Sequence, residues 1–436
     1  MTIFSKSLQQ RLSTAEPFML NIFIVAAVFS TYFCAYGFRK PFTAGSFDLN
    51  FTLPLIKVTL SYKILLVVVQ TLGYATAKFA GIKLIAEAKK DNLSLVRSIV
   101  ALLTIAGLSW VLWAITPPPY NLVFIFINGF PLGLIWGLVL SFIEGRKYTE
   151  LFGTGLSASF IFAAAFSQQI GQAVLNQGIS EYWMPLYVSG IYFVPMLIVA
   201  WLLGHTPPPN TEDVLLRKER QPMDSTQRKS FMRAYGGGIF FLIIVYMLLN
   251  AFRETRSGFA KEIWASIGYQ GDLSVFSQSE IIVSILILIL LSLLVFVRKN
   301  SQAFYITLIG VGVGSALVGL SSFLYAQGAI NGFVWMILLG LGTYMGYIPL
   351  GSFLFDRLLA ATNSVGTVGF LIYMLDAFAY IASISVMLYK NFSFAQVNWL
   401  QFMQKFGYLL AIVNVIMLVF AGWIFKQKID KANPKR

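Results

Sequence analysis

Residues 95–143 read LVRSIVALLTIAGLSWVLWAITPPPYNLVFIFINGFPLGLIWGLVLSFI, and this stretch indicates the fold class more clearly than any other. Two apolar runs, 95–116 and 120–143, lie on either side of three successive prolines. A helix needs about 20 mostly apolar residues to cross a membrane, and proline ends a helix. The stretch therefore predicts two membrane-spanning helices joined by a tight turn.

The same pattern recurs along the whole chain and predicts an all-α integral membrane protein with twelve transmembrane helices. The predicted spans are 18–40, 58–82, 95–116, 120–143, 152–176, 182–203, 235–256, 277–297, 302–326, 331–355, 363–389 and 403–425. The composition agrees, because 57% of the residues are apolar and only 11% are charged. Soluble domains carry about 25% charged residues, so lipid is the expected solvent of this surface.

The basic residues indicate orientation rather than a nucleic-acid partner. The net charge is +14, but the 32 Lys and Arg residues are scattered, most of them on the side of the two termini. The loops 117–119, 177–181 and 327–330, which fall on the opposite side, contain none. Because cytoplasmic loops are rich in Lys and Arg, we expect both termini in the cytoplasm. We expect a multi-pass protein of the bacterial inner (plasma) membrane that works as a monomer, with the lipid bilayer as its surroundings.

The chain is expected to divide into two related halves. Residues 204–232 are polar and rich in proline and charge, which is typical of a linker. We therefore assign 1–203 to an N-terminal six-helix bundle, 204–232 to a cytoplasmic linker and 233–436 to a C-terminal six-helix bundle. A shift of 211 residues aligns the fourth and fifth spans with the tenth and eleventh, and a shift of 214 aligns the first with the seventh. Six spans separate the partners, so the repeats are predicted to be parallel, as in the major facilitator fold.

Several charged side chains lie inside predicted spans, where each costs at least ~2.5 kcal/mol unless it faces a partner or a cavity. The candidates for facing a cavity or a partner are Arg39, Lys40, Lys78, Arg253, Glu254, Arg256 and Asp376.

These charges share helix faces with other polar groups. Tyr32, Tyr36 and Arg39 follow one another at i, i+4 and i+7 on the first span. On the seventh span Tyr246, Asn250 and Arg253 repeat this spacing. On the second span Gln70, Tyr74 and Lys78 fall at i, i+4 and i+8. A guanidinium keeps its charge and binds an oxyanion with two parallel hydrogen bonds, which suits phosphate. Alternatively, Arg39 and Lys40 reach the outer headgroups, Lys78 reaches the inner ones, and Glu254 forms a structural pair with a nearby cation.

At these residues the sequence resembles the major facilitator superfamily, and within it the organophosphate:phosphate antiporters. The shared first-span pattern is Tyr-x3-Tyr-x2-Arg-Lys, here Tyr32 to Lys40, and the shared second-span pattern is Tyr-x3-Lys, here Tyr74 to Lys78. The seventh-span arginine of the family matches Arg253. The family has a tyrosine where this chain has Asn250, and it has a fifth-span histidine that is absent here. The resemblance implies that the two arginines bind phosphate and that the tyrosines and the lysine surround it.

We therefore expect a secondary active transporter that moves a small anionic, phosphorylated solute by alternating access. Arg39 and Arg253 are expected to bind the oxyanion. Tyr32, Tyr36, Tyr74, Lys78 and Asn250 are expected to assist them, and Asp376 is a candidate for coupling or charge pairing.

Three alternatives stay open: a major facilitator carrier of other cargo, a non-transporting sensor of a phosphorylated ligand, and an intramembrane enzyme. No Walker loop, HExxH or GxSxG pattern occurs, so we expect no enzymatic activity. One cysteine, Cys34, and one histidine, His205, argue against a metal site, and no cofactor is expected.

Overall fold

Twelve long helices dominate the computed structural model of the chain, which describes residues 2–53, 58–87, 91–143, 146, 149–208, 225–272, 274–297, 299–362, 368–393 and 397–432. Each contains a segment long and apolar enough to cross a membrane. The helices are α1 Pro17–Arg39, α2 Tyr62–Glu87, α3 Asn92–Ile115, α4 Leu122–Leu140, α5 Thr149–Asn176, α6 Met184–Gly204, α7 Ser225–Gly258, α8 Ser274–Ser292, α9 Asn300–Ala326, α10 Gly332–Ser352, α11 Val368–Ser393 and α12 Trp399–Ala432. They correspond one to one with the predicted spans.

Shorter elements connect or precede these helices. They are the helices Thr2–Ser13, Ala260–Ser266 and Leu354–Thr362, the 3-10 turns Pro41–Ala44 and Leu293–Phe296, and the strands β1 Asn50–Leu53 and β2 Val58–Ser61.

The two strands form an antiparallel hairpin that is not among the predicted elements. Asn50 pairs with Ser61 and Leu53 with Val58, and the Thr52 and Thr59 hydroxyl groups lie 3.1 Å apart. The predicted start of the second span at residue 58 was therefore wrong, because α2 begins only at Tyr62. The sequence from 58 is apolar enough for a span, but its β-branched and alternating residues suit a strand.

The chain forms two compact units, Met1–Lys218 and Glu219–Arg436. In the first unit α1 packs on α4, α5 and α6, α2 packs on α4, and α3 packs on α4 and α6. In the second unit every one of these pairs recurs with each helix number raised by six: α7 on α10, α11 and α12, α8 on α10, and α9 on α10 and α12. Two six-helix repeats in parallel order are the predicted fold class, which this packing confirms.

The predicted linker lies mostly outside the described residues, because 209–224 belong to the part that the structure does not describe. Residues 225–232, which we assigned to the linker, instead form the first two turns of α7. The assignment of the remaining linker residues to the cytoplasm stays a prediction.

Glycines bring α2 and α4 into close contact. A Cβ atom on Gly129 would collide with the carbonyl oxygen of Gln70, and one on Gly133 would lie 2.7 Å from the carbonyl oxygen of Tyr74. Small residues allow such approaches between membrane helices. This contact places the polar face of α2, from Gln70 to Lys78, directly beside α4.

Helix α1 ends at Arg39, and the chain then stays inside the first unit. Residues Pro41–Ala44 form a buried 3-10 turn. The backbone N–H groups of Ser46 and Phe47 donate to the Glu181 carboxylate, the second at 2.9 Å. The segment after α1 is therefore anchored to the loop between α5 and α6.

Candidate functional site

Tyr32, Tyr36 and Arg39 of α1 contact one another in sequence order, and Tyr32 and Arg39 also contact Tyr74 of α2. Arg39 is only 2% exposed. Its Nη1 donates to the Tyr36 hydroxyl at 3.0 Å, and its guanidinium carbon lies 4.2 Å from the centre of the Tyr74 ring. The hydroxyl groups of Tyr32 and Tyr74 are 3.1 Å apart. The structure thus buries Arg39 against tyrosines instead of directing it outward to the headgroups.

Lys78 belongs to the same group of side chains. It is 4% exposed, and its Nζ lies 5.4 Å from the centre of the Tyr74 ring and 5.0 Å from that of Trp136 on α4. Trp136 is not among the predicted site residues, because an aromatic residue in an apolar span carries no distinctive signal. We call Tyr32, Tyr36, Arg39, Tyr74, Lys78 and Trp136 the Arg39 cluster.

Helix α7 places Arg253 among a different set of partners in the second unit. Its Nη2 donates to the Asn250 Oδ1 at 2.8 Å and forms an ion pair with the Glu254 carboxylate at 2.7 Å. The guanidinium carbon lies 4.4 Å from the centre of the Tyr347 ring on α10. The pairing of Glu254 with a nearby cation, left open by the sequence, is therefore present in the structure.

Tyr246 and Asp376 complete this second group. The Tyr246 hydroxyl donates to Asp376 Oδ1 at 2.9 Å, and its ring stacks on Tyr347 with the centres 5.0 Å apart. Asn250 also donates to the Ser383 hydroxyl on α11 at 2.9 Å. We call Tyr246, Asn250, Arg253, Glu254, Tyr347 and Asp376 the Arg253 cluster.

The two clusters have the same arrangement of side chains around an arginine but differ in charge. In each, an arginine donates to the side chain three residues earlier on its helix and lies over an aromatic ring of a neighbouring helix. Trp136 and Tyr347 are themselves related by the shift of 211 residues. The Arg253 cluster contains two carboxylates, whereas α1 and α4 contain no Asp or Glu, and in α2 only the terminal Glu87 is acidic. The charged and hydroxyl groups that α1, α2 and α4 contribute to the Arg39 cluster are therefore two cations and three tyrosine hydroxyl groups, without a carboxylate.

Arg256 lies in a separate ion pair. Its Nη2 is 2.5 Å from Glu280 Oε1 on α8 and donates to the Met336 carbonyl on α10 at 2.9 Å. A Cβ atom on Gly340 would lie 2.9 Å from this guanidinium. The pair links three helices of the second unit, and its contacts are those of a structural ion pair.

Among the described residues, no three His, Cys, Asp or Glu side chains lie close enough together to hold a metal ion. The chemistry that the two clusters offer is hydrogen bonding and charge recognition.

Solved structures share the fold over nearly the whole chain. The chain is similar to a D-xylose-proton symporter, with 17% identity and a TM-score of 0.56 over 92% of this chain and 97% of that one. It is also similar to a POT family transporter in complex with 5-aminolevulinic acid, with 14% identity and a TM-score of 0.56 over 94% of this chain and 97% of that one. A POT family transporter in complex with a thioalcohol-conjugated peptide gives 14% identity and a TM-score of 0.57 over the same shares.

These likenesses confirm the major facilitator fold, and with the twelve apolar helices they identify an integral, multi-pass membrane protein. The three neighbours are transporters rather than enzymes. At such low identity they carry no information on cargo, so the organophosphate:phosphate resemblance stays a prediction.

Sequence comparison assigns the chain to a family. No curated protein matches it. A family description, "Family of unknown function (DUF5690)", matches residues 41–428, which is most of the chain. The chain therefore belongs to the family of unknown function DUF5690.

Proposed function

We propose that this protein is a secondary transporter that moves a small anionic, phosphorylated solute across the membrane by alternating access. The fold supports a carrier, since the neighbours named above are a symporter and two POT family transporters. The Arg39 cluster supports an anionic cargo.

The observation that carries the proposal is that Arg39 and Lys78 contact the same Tyr74 ring. The guanidinium carbon is 4.2 Å and the ammonium nitrogen 5.4 Å from its centre, so the two cations are separated by no more than the sum of these distances. Like charges repel more strongly inside a protein than in water. A bound oxyanion would lower this repulsion and accept charge-assisted hydrogen bonds from both cations.

The side chains around the cations have distinct proposed roles. Arg39 binds the oxyanion with its planar fork, and Lys78 adds a point charge. Tyr36 already accepts a hydrogen bond from Arg39 and fixes the direction of the guanidinium. Tyr32 and Tyr74, whose hydroxyl groups pair at 3.1 Å, supply neutral donors. Because these side chains are buried, an anion reaches them only after a conformational change, which alternating access provides.

The Arg253 cluster is proposed to respond to the solute or to the coupling ion. Glu254 balances the charge of Arg253 at 2.7 Å, so an anion binding to Arg253 must compete with this carboxylate. Asn250 would orient the guanidinium, as Tyr36 does for Arg39. Asp376, which accepts a hydrogen bond from Tyr246, is the candidate for carrying a proton or for pairing with a cation during the cycle.

The cellular setting is part of the proposal. We propose a monomer in a bacterial inner membrane with both termini in the cytoplasm. A cytoplasmic linker between Gly204, the last residue of α6, and Ser225, the first residue of α7, would then join the two halves.

Flux and binding together test the function. The purified protein is reconstituted in liposomes loaded with inorganic phosphate, and entry of radiolabelled phosphate is compared with that of a labelled neutral sugar and a labelled dipeptide. Saturable phosphate exchange supports the proposal. Exchange of only the sugar or the dipeptide would indicate a carrier of other cargo, and phosphate binding without flux would indicate a sensor.

A suitable control for charge and burial is Lys390→Arg. Lys390 is buried and lies 4.8 Å from the centre of the Trp399 ring, outside both clusters. Lys390→Arg thus replaces one type of cation by the other beside an aromatic ring, as Arg39→Lys does. We expect this substitution to leave phosphate exchange unchanged.

A further inference from the structure

The end of α1 is recessed among its neighbours. Three side chains that contact it are Gln70, eight residues after the start of α2, Trp110, five residues before the end of α3, and Asn128, six residues after the start of α4. At ~1.5 Å per residue, the last turn of α1 lies roughly 8–12 Å inside the corresponding ends of these helices.

A helix end at this depth has unsatisfied carbonyl groups. The last four C=O groups of a helix lack partners within it, and an apolar environment makes each of them costly. Lys40 N–H satisfies the carbonyl of Tyr36 at 3.0 Å, but the carbonyl groups of Phe38 and Arg39 need donors from elsewhere.

Side chains from three helices provide these donors. Gln70 Nε2 donates to the Arg39 carbonyl at 2.8 Å and to Asn128 Oδ1 at 2.7 Å. Asn128 Nδ2 donates to the Phe38 carbonyl at 3.1 Å and to the Ala106 carbonyl at 3.0 Å. Trp110 Nε1 also donates to the Phe38 carbonyl, at 2.8 Å. Both N–H groups of each amide nitrogen thus have acceptors.

The described part of the second repeat differs at the equivalent positions. The residue equivalent to Asn128 by the shift of 211 is Leu339, which is fully buried. Helix α7 does not end at Arg253 but continues to Gly258, so its carbonyl groups at this level remain within a helix. Among the described residues, the recessed helix end and the Asn128 amide therefore occur together in the first repeat, and neither has a counterpart at the equivalent position of the second.

We infer that Gln70, Trp110 and Asn128 are positioning residues that hold the end of α1 and thereby orient the Arg39 guanidinium for an anion. This inference rests on the proposed function, because Arg39 must be the residue that binds. Gln70 is the most direct of the three, since it donates to the backbone carbonyl of Arg39 itself. Displacement of this carbonyl would move the guanidinium away from Tyr36 and Tyr74.

The test is a double-mutant cycle on inorganic phosphate binding to the full-length protein. Gln70→Met keeps the side-chain length and removes the donor, and it is made both in the native protein and together with Arg39→Lys. If Gln70 acts through Arg39, we expect a loss of affinity of about three- to tenfold in the native background and less than about twofold beside Arg39→Lys. Equal losses in both backgrounds would show a general structural role and overturn the inference.

A second readout does not depend on the ligand. Hydrogen exchange of the backbone amides in residues 36–45 should become faster in Gln70→Met and in Trp110→Phe, which keeps an aromatic ring but removes the indole N–H. Unchanged exchange in both variants would overturn the inference.

The matched control for both readouts is Asn414→Leu. Asn414 is a fully buried amide that donates to the Ser315 hydroxyl at 3.1 Å in the second unit. We expect this substitution to change neither the affinity for phosphate nor the rate of amide hydrogen exchange in residues 36–45. If Arg39→Lys alone leaves phosphate binding unchanged, the proposed function fails. Amide hydrogen exchange in residues 36–45 still decides whether Gln70 and Trp110 hold the end of α1.

Discussion

Replacement of Arg39 by lysine keeps the positive charge and removes the planar fork. In the structure the fork donates to the Tyr36 hydroxyl at 3.0 Å and lies over the Tyr74 ring at 4.2 Å. Lysine has one compact ammonium group and cannot bind an oxyanion with two parallel hydrogen bonds. The substitution therefore tests geometry with the charge held constant.

The expected magnitude follows from the bonds that are lost. One charge-assisted hydrogen bond to the anion contributes about 1.5–3 kcal/mol, so phosphate affinity should fall roughly ten- to hundredfold. The effect on folding should be smaller, because the hydrogen bond to Tyr36 contributes about 1 kcal/mol and lysine keeps part of the contact with Tyr74.

The assay is titration of purified protein with inorganic phosphate, together with thermal unfolding of the same samples. Lys390→Arg is the control and should retain native affinity. Native affinity in Arg39→Lys would refute the role of the guanidinium. A large drop in the unfolding temperature with unchanged affinity would show that Arg39 is structural.

Arg253→Lys provides an internal comparison. Because Glu254 already pairs with Arg253 at 2.7 Å, and a lysine there can keep an ion pair, we expect a smaller loss of phosphate affinity than for Arg39→Lys. A larger loss would mean that the second cluster contributes more to anion binding than its charge balance indicates.

Gly129→Ala should destabilise the protein, because the added Cβ would collide with a carbonyl oxygen of α2. Gly153→Ala is the control and should not destabilise it, because a Cβ there would have no atom within 4 Å. Equal unfolding temperatures of the two variants would contradict this. Glu280→Gln should lower the free energy of unfolding by up to about 3–5 kcal/mol, since it leaves the Arg256 charge buried without its carboxylate. Unfolding in denaturant measures this loss, and native stability would show that the pair contributes little. Protease added to oriented vesicles should cleave the predicted linker from the cytoplasmic face only, and cleavage solely from outside would invert the predicted topology.

The number, order and parallel repetition of the helices could be predicted because long apolar runs and turn residues identify spans directly. The hairpin could not, since β2 runs directly into the helix α2 and no proline or glycine marks the junction at Tyr62. Boundaries of this kind depend on strand pairing with β1, which a linear pattern does not show.

The arginine-centred faces of α1 and α7 could also be predicted, because helical spacing places Tyr32, Tyr36 and Arg39 on one side. The ion pair between Arg253 and Glu254 was less evident, since adjacent residues do not face each other on a helix. Here the two side chains are long enough to meet in spite of this.

The polar cap on α1 was missed although a signal was available. Asn128 is the only Asn or Gln within the apolar helix α4, and such a residue needs a hydrogen-bonding partner. Its acceptors are the carbonyl groups of Phe38 and Ala106, and backbone atoms leave no trace in the sequence pattern.

The most direct test of anion transport through the Arg39 cluster is exchange of radiolabelled inorganic phosphate into phosphate-loaded proteoliposomes, measured for the native protein, Arg39→Lys and Lys390→Arg. We predict saturable exchange by the native protein and by Lys390→Arg, and a loss of roughly tenfold or more at low phosphate in Arg39→Lys. Equal exchange by all three proteins would contradict anion transport through the Arg39 cluster. Exchange by folded native protein that is no faster than in phosphate-loaded liposomes without protein would contradict it as well.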